Sequence, residues 1–128
     1  MIKVLALNHV SLLVSDTARA LDFYHGLLGL AIDASRPDLG FPGAFLDAGN
    51  AQIHLLELAP HAVQDAGEKH GGRDRHVALD VVDLGAVVAV LDGAGIAYTL
   101  SRSGRRALFC RDPDGNAVEL VERVPGPG

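Results

Sequence analysis

Residues 9 to 16 read His-Val-Ser-Leu-Leu-Val-Ser-Asp, and residues 76 to 83 read His-Val-Ala-Leu-Asp-Val-Val-Asp. Histidine, valine, leucine, valine and aspartate recur at matching places. The match continues in order beyond the octapeptide, which a chance coincidence would not do. After each aspartate comes a stretch with helical apolar spacing. The first runs from Asp16 to Leu28, with Leu21, Phe23, Tyr24, Leu27 and Leu28 toward one side; the second runs from Asp83 to Ala94, with Leu84, Val87, Val88 and Leu91. Asp16 and Asp83 suit the N-cap position, because a carboxylate accepts orphan N–H groups of the first turn. Gly29 and Gly95 stand where each helix would stop, and an apolar residue, Leu30 or Ile96, follows.

The ends of the two copies also match. Gly49-Asn50 precedes Ala-Gln-Ile-His-Leu-Leu-Glu (51–57), and Gly115-Asn116 precedes Ala-Val-Glu-Leu-Val-Glu (117–122). Gly-Asn is a hairpin-turn signal. Each copy is therefore expected to be one βαβββ unit: unit one about 3–59, a polar linker 60–74 containing Gly71-Gly72, and unit two about 75–123. The N-terminal Met1-Ile2-Lys3-Val4-Leu5 is read as running straight into a strand, and the closing Pro125-Gly-Pro-Gly128 cannot continue one.

Strand alternation sorts the side chains. Ile53 and Leu55 share one face and Val118 and Leu120 the equivalent face; both rows suit a helix-covered core. His54 and Glu119 then point the other way, and aligning the units sets them opposite one another in the repeat. His9 and His76 begin matching strands. Buried imidazoles and carboxylates need partners. Four such groups at repeat-related positions are best satisfied by one cation, and three imidazoles with one carboxylate suit a first-row divalent metal: Zn, Ni, Co, Fe or Mn. His25, His61 and His70 match nothing across the repeat and are expected on the surface. Cys110, the only cysteine, lies in an apolar run and is read as buried filler, with no disulfide available.

Composition bounds the partners. The 128 residues suit one compact domain, and a net charge of −5 argues against nucleic acid or an anionic membrane. No apolar run reaches the roughly 18 to 20 residues of a membrane helix, and no signal-peptide layout opens the chain, so a soluble cytoplasmic protein with a small-molecule substrate is expected. Arginines gather late in the chain. Arg102-Ser-Gly-Arg105-Arg106 reads as a turn in which Arg102 and Arg105 can hold a carboxylate or phosphate of a substrate.

These residues carry a resemblance. His9-Val10 with Asp16, Phe23-Tyr24, Leu28-Gly29-Leu30 and Gln52-Ile53-His54-Leu55 are similar to the first half of a vicinal oxygen chelate protein. Arg75-His76-Val77-Ala78-Leu79, Asp112-Pro113-Asp114-Gly115-Asn116 and Glu119-Leu120 are similar to the second half. This is the glyoxalase, bleomycin-resistance and extradiol dioxygenase superfamily. The resemblance implies an α+β fold in which two βαβββ units form a cupped, incomplete mixed β-barrel with helices outside. It implies metal ligation by His9, His54, His76 and Glu119, with Glu119 also moving a proton. Glyoxalase I has Glu at the position of His54 and methylmalonyl-CoA epimerase has Gln, so His54 is a departure. The implied activity is that of a lyase or isomerase stabilising an enolate or enediolate. The alternatives are a resistance-type thiol transferase or drug-binding protein, and an extradiol-type dioxygenase. A homodimer is implied, with ligands drawn from one chain or from two.

Overall fold

The computed structural model describes residues 1–58 and 70–123. It contains two compact units, Met1–His61 and Ala62–Gly128. In the first, β1 (His9–Val14) leads to a short helix α1 (Thr17–Leu21), a π-helical continuation (Asp22–Leu27), and strands β2 (Ala31–Asp33), β3 (Gly43–Ala48) and β4 (Ala51–Glu57). In the second, a 3-10 turn (Gly71–Arg73) precedes β5 (His76–Val81), helix α2 (Leu84–Gly93), and strands β6 (Tyr98–Leu100), β7 (Ala107–Arg111) and β8 (Ala117–Glu122). The sheets have the same plan, β1-β4-β3-β2 and β5-β8-β7-β6. The first and last strands of each unit pair in parallel, and the remaining pairs are antiparallel. The fold is α+β, built of two βαβββ units with four-stranded mixed sheets.

The local signals act as expected. Asp16 accepts the backbone N–H of Arg19 and Asp83 that of Ala86, each at 3.2 Å. Gly29 and Gly95 take φ of 79° and 70° just past the helices, a conformation in which a Cβ would be strained. Gly49 takes φ 69° in the two-residue hairpin between the paired Ala48 and Ala51. Ile53, Leu55, Val118 and Leu120 are buried as their alternation requires, α1 packs over β4, and α2 over β8. Cys110 is buried, and burial with Asp112 nearby pushes its thiol up to about 11.

Three expectations are corrected. The stretch from Asp16 to Leu28 is not one α-helix. From Asp22 it widens, with the Leu28 N–H reaching the Phe23 carbonyl at 3.0 Å. The wider turn carries two adjacent rings inward: Phe23 and Tyr24 are both buried, edge to face at 4.9 Å. The N-terminal segment does not form a strand; β1 starts at His9, and Ile2, Val4 and Leu5 are exposed. The neighbouring strand β4 begins only at Ala51, so residues 1–7 have no ladder to join. His70 is not on the surface but 7% exposed, because the turn after it packs against β7 and β8. His25 is exposed as expected, and His61 lies outside the described residues.

Each unit also ties its helix to its sheet by a link that periodicity does not reveal. The carboxylate of Glu57 accepts the Thr17 N–H at 2.7 Å, and that of Glu122 accepts the Leu84 N–H at 3.1 Å. The last residue of β4 or β8 thus satisfies an orphan donor of the first helical turn.

Candidate metal centre and substrate pocket

In unit one the register sets His54 beside Ser11 of β1 and Phe45 of β3. Its ring lies between two others: Phe45 at 3.5 Å and His9 at 3.9 Å between centroids, nearly parallel to both. Gln52 fixes its edge. The Gln52 amide nitrogen donates to Asp33 and to Asp47, each at 2.9 Å, so the amide oxygen is left to accept from His54 Nε2 at 2.9 Å. Burial first, and then the neighbouring His9, lower the His54 pKa; Asp33 partly offsets this. Asp33 is itself held down to about 2, chiefly by the hydroxyl and N–H of Ser35 and by Gln52. Arg36 stacks over Phe41 and Phe45 at 5.4 and 5.8 Å and adds to the pressure against a charged His54.

In unit two the register sets Glu119 beside Ala78 of β5 and Phe109 of β7. Glu119 is 3% exposed, unusual for a carboxylate. One oxygen, Oε1, is 3.2 Å from His76 Nε2, and the other is 3.4 Å from Arg105 Nη2. The opposite nitrogen of His76, Nδ1, is 2.9 Å from the Asp74 carbonyl oxygen, which can only accept. Both nitrogens of His76 therefore face oxygen acceptors. A neutral imidazole has one N–H and satisfies only one of them, so a cation or a second proton belongs between Nε2 and Oε1.

The spacing can be tested against a metal. Donors about 2.1 Å from a common ion lie about 3.0 to 3.4 Å apart at octahedral or tetrahedral angles. The 3.2 Å between His76 and Glu119 falls in that interval. The Asp74 carbonyl on Nδ1 is the outer contact that leaves Nε2 as the donor atom of a metal-bound histidine. The His76 and Glu119 pair thus has the spacing of two ligands of one divalent ion. The structure brings together His9 with His54, and His76 with Glu119. Among the described residues no three of His, Cys, Asp or Glu gather within either unit.

Beside Glu119 opens a pocket of about 360 Å³, lined by His70, Arg73, His76, Arg102, Arg105 and Phe109, with Ser101, Ser103 and Gly72. Arg102 and Arg105 stand where their turn places them, at the pocket wall. Arg106 does not line it and pairs with Glu122; Arg111 pairs with Asp74 at 2.8 Å. The sequence missed His70, Gly72 and Arg73, which lay in the supposed linker, and Phe45 and Phe109, to which no role was assigned. The repeat held a signal for the two phenylalanines: both sit third in the strand before the Gly-Asn turn.

This chain belongs to the Glyoxalase/Bleomycin resistance protein/Dioxygenase superfamily, which it matches over residues 6–120. It is 31% identical over 121 residues to glyoxylase I 4 of Arabidopsis thaliana, covering 90% of this chain and 69% of that protein. It is 28% identical over 127 residues to the mitochondrial methylmalonyl-CoA epimerase of Homo sapiens, covering 91% and 71%. It spans only 45%, 44% and 36% of three plant proteins named as lactoylglutathione lyases. Its fold is similar to that of a point mutant of the fosfomycin resistance protein FosX of Listeria monocytogenes, solved with Mn(II) and 1S,2S-dihydroxypropylphosphonic acid. That likeness has a TM-score of 0.77 at 16% identity, covering 94% of this chain and 93% of the other. Among the described residues no helix is long and apolar enough to cross a membrane.

Proposed function

We propose that this protein is a metal-dependent lyase or isomerase of the glyoxalase class, acting on a small substrate with adjacent oxygens. His9, His54, His76 and Glu119 would hold one divalent ion, Zn, Ni, Co, Fe or Mn. The observation that carries the proposal is the buried Glu119, 3.2 Å from a histidine whose other nitrogen is already committed. The repeat adds His9 and His54 at equivalent strand positions. The bound ion would supply Lewis acidity to two substrate oxygens. Glu119 would also take up the proton leaving the carbon beside a carbonyl, with Arg105 3.4 Å from its Oε2 to hold the carboxylate in place. Arg102 and Arg105 would hold an anionic group of the substrate at the pocket wall.

A homodimer is part of the proposal. Its support is the apolar, exposed N-terminal segment and the position of β1 and β5 at the edges of their sheets. Two ligands would come from each of two chains. The arginine-lined pocket also suits a phosphonate, which favours a resistance-type transferase or drug-binding protein as the second reading.

The test is elemental analysis of protein purified without chelator and then reloaded with each of the five ions. Turnover of a thiol adduct of a 2-oxo aldehyde, an acyl-CoA, a catechol, and fosfomycin with a thiol would follow. The expected result is one metal per chain, lost in Glu119→Ala, and turnover of one of the first two substrates. Failure of the folded protein to take up any of the ions would overturn the metal reading. Turnover of fosfomycin alone would replace the lyase or isomerase by the transferase, and turnover of catechol alone by the dioxygenase.

A further inference from the structure

We propose that the turn His70-Gly71-Gly72-Arg73 is an oxyanion-binding element, in which His70 Nε2 donates to a carboxylate or phosphate group of the substrate beside Arg73 and Arg102. This rests on the reading of His76 and Glu119 as the reacting centre, and it assigns the His70 wall of the same pocket to an anionic group of the substrate.

The turn is built rather than loose. His70 is 7% exposed and lines the pocket. Its Nδ1 is 2.6 Å from the Thr99 hydroxyl of β6, and its ring meets the edge of Phe109 at 4.8 Å. These two contacts fix the ring from both sides. Gly71 lies where a Cβ would come 3.1 Å from both Ala117 and Phe109, so the backbone of the turn is pressed onto the sheet. Gly72 lies where a Cβ would stand 2.9 Å from His70 Nε2. A side chain at that position would cover the nitrogen, and its absence keeps Nε2 accessible.

Among the described residues Nε2 takes no hydrogen bond. If the Thr99 hydroxyl donates to Nδ1, the ring proton sits on Nε2 and faces the pocket as a donor. Arg73, Arg102 and Arg105 line the same space, with Ser101 and Ser103. Arg105 also reaches Glu119, so Arg73 and Arg102 add cationic partners for a bound anion on the His70 side of the pocket. A buried donor flanked by guanidinium groups in a small pocket is the chemistry that selects an oxyanion over a neutral group. The volume of about 360 Å³ suits a compact ligand rather than a long conjugate lying wholly inside.

The test uses metal-free full-length protein, so that it does not depend on metal binding. Inorganic phosphate and, separately, acetate are titrated up to about 0.15 M ionic strength, while the ring nitrogens of His70 are followed by long-range proton–nitrogen NMR. The expected result is an Nε2–H tautomer before ligand and a saturable shift of His70 with at least one of the two anions. Saturation with phosphate alone assigns a phospho group, and with acetate alone a carboxylate. Read from the backbone amide shifts of Arg73 and Ser101, Gly72→Ala and His70→Phe should each weaken binding at least about tenfold, while His25→Ala leaves it unchanged. His70→Phe keeps the ring contact with Phe109, so it separates loss of the donor from loss of packing if Gly72→Ala melts early. An Nδ1–H tautomer, or no saturable shift at His70 with either anion, overturns the proposal. Loss of metal binding with the anion site intact would instead overturn only the reading of the reacting centre.

Discussion

Replacing Glu119 by leucine should raise the stability of the metal-free protein while abolishing its response to metal. Glu119 is 3% exposed, whereas the side chains it faces, His76 and Arg105, are 27% and 62% exposed. The carboxylate is thus almost fully desolvated, and its partners are positioned to recover water when it is gone. Replacing a whole buried ion pair by apolar groups of similar size is neutral or stabilises by up to about 4 kcal/mol, and here the desolvated member is replaced while its exposed partners return to water. Solvent screening of Arg105 puts this case at the lower end, about 1 kcal/mol, or roughly 3 to 6 °C in melting temperature. The wild type should gain about 2.7 kcal/mol when a bound metal is present at a hundredfold above its Kd. A leucine side chain supplies no donor atom, so the variant should gain nothing measurable. Calorimetry of both proteins, with chelator and with each metal, reads the metal-free and metal-loaded forms of each. A Glu119→Leu protein that melts below the wild type in chelator would refute the reasoning. Glu119 would then be a structural partner of His76 and Arg105, rather than a group retained for function at a cost in stability.

Acid should weaken the fold through His54. Its folded pKa lies below the ordinary value, so the unfolded chain binds the proton first and stability falls as pH drops below about 6.5. Thermal melts of metal-free wild type and His54→Gln from pH 7.5 to 5 should show the flatter profile in the variant, and the metal-loaded wild type should lose most. Cys110 should resist a thiol reagent at pH 8 in the native state, since its thiol is buried and raised to about 11, and react fully once unfolded. For the homodimer, mixing His9→Ala with Glu119→Ala protein under subunit exchange should restore up to half the metal per heterodimer, because one of its two sites regains all four ligands. No recovery despite proven exchange would exclude ligands shared between chains.

What the sequence determined by itself is whatever depends on near neighbours and on periodicity. The repeat placed His9 against His76 and His54 against Glu119. Asp16 and Asp83 announced two helix starts because a cap needs only the next three residues. Alternation assigned Ile53, Leu55, Val118 and Leu120 to the core because successive strand residues must face opposite ways. The tertiary structure decided what depends on residues far apart in the chain. His70 is buried because Thr99 and Phe109 come to it across the sheet, and for the same reason Gly71 packs on the sheet and Gly72 lines a pocket rather than a linker. The pairing of Phe45 with His54 and of Phe109 with Glu119 follows from strand register, which no single strand encodes. Residues 1–7 are apolar like a strand yet form none, because a ladder needs a neighbour and β4 begins too late to provide one.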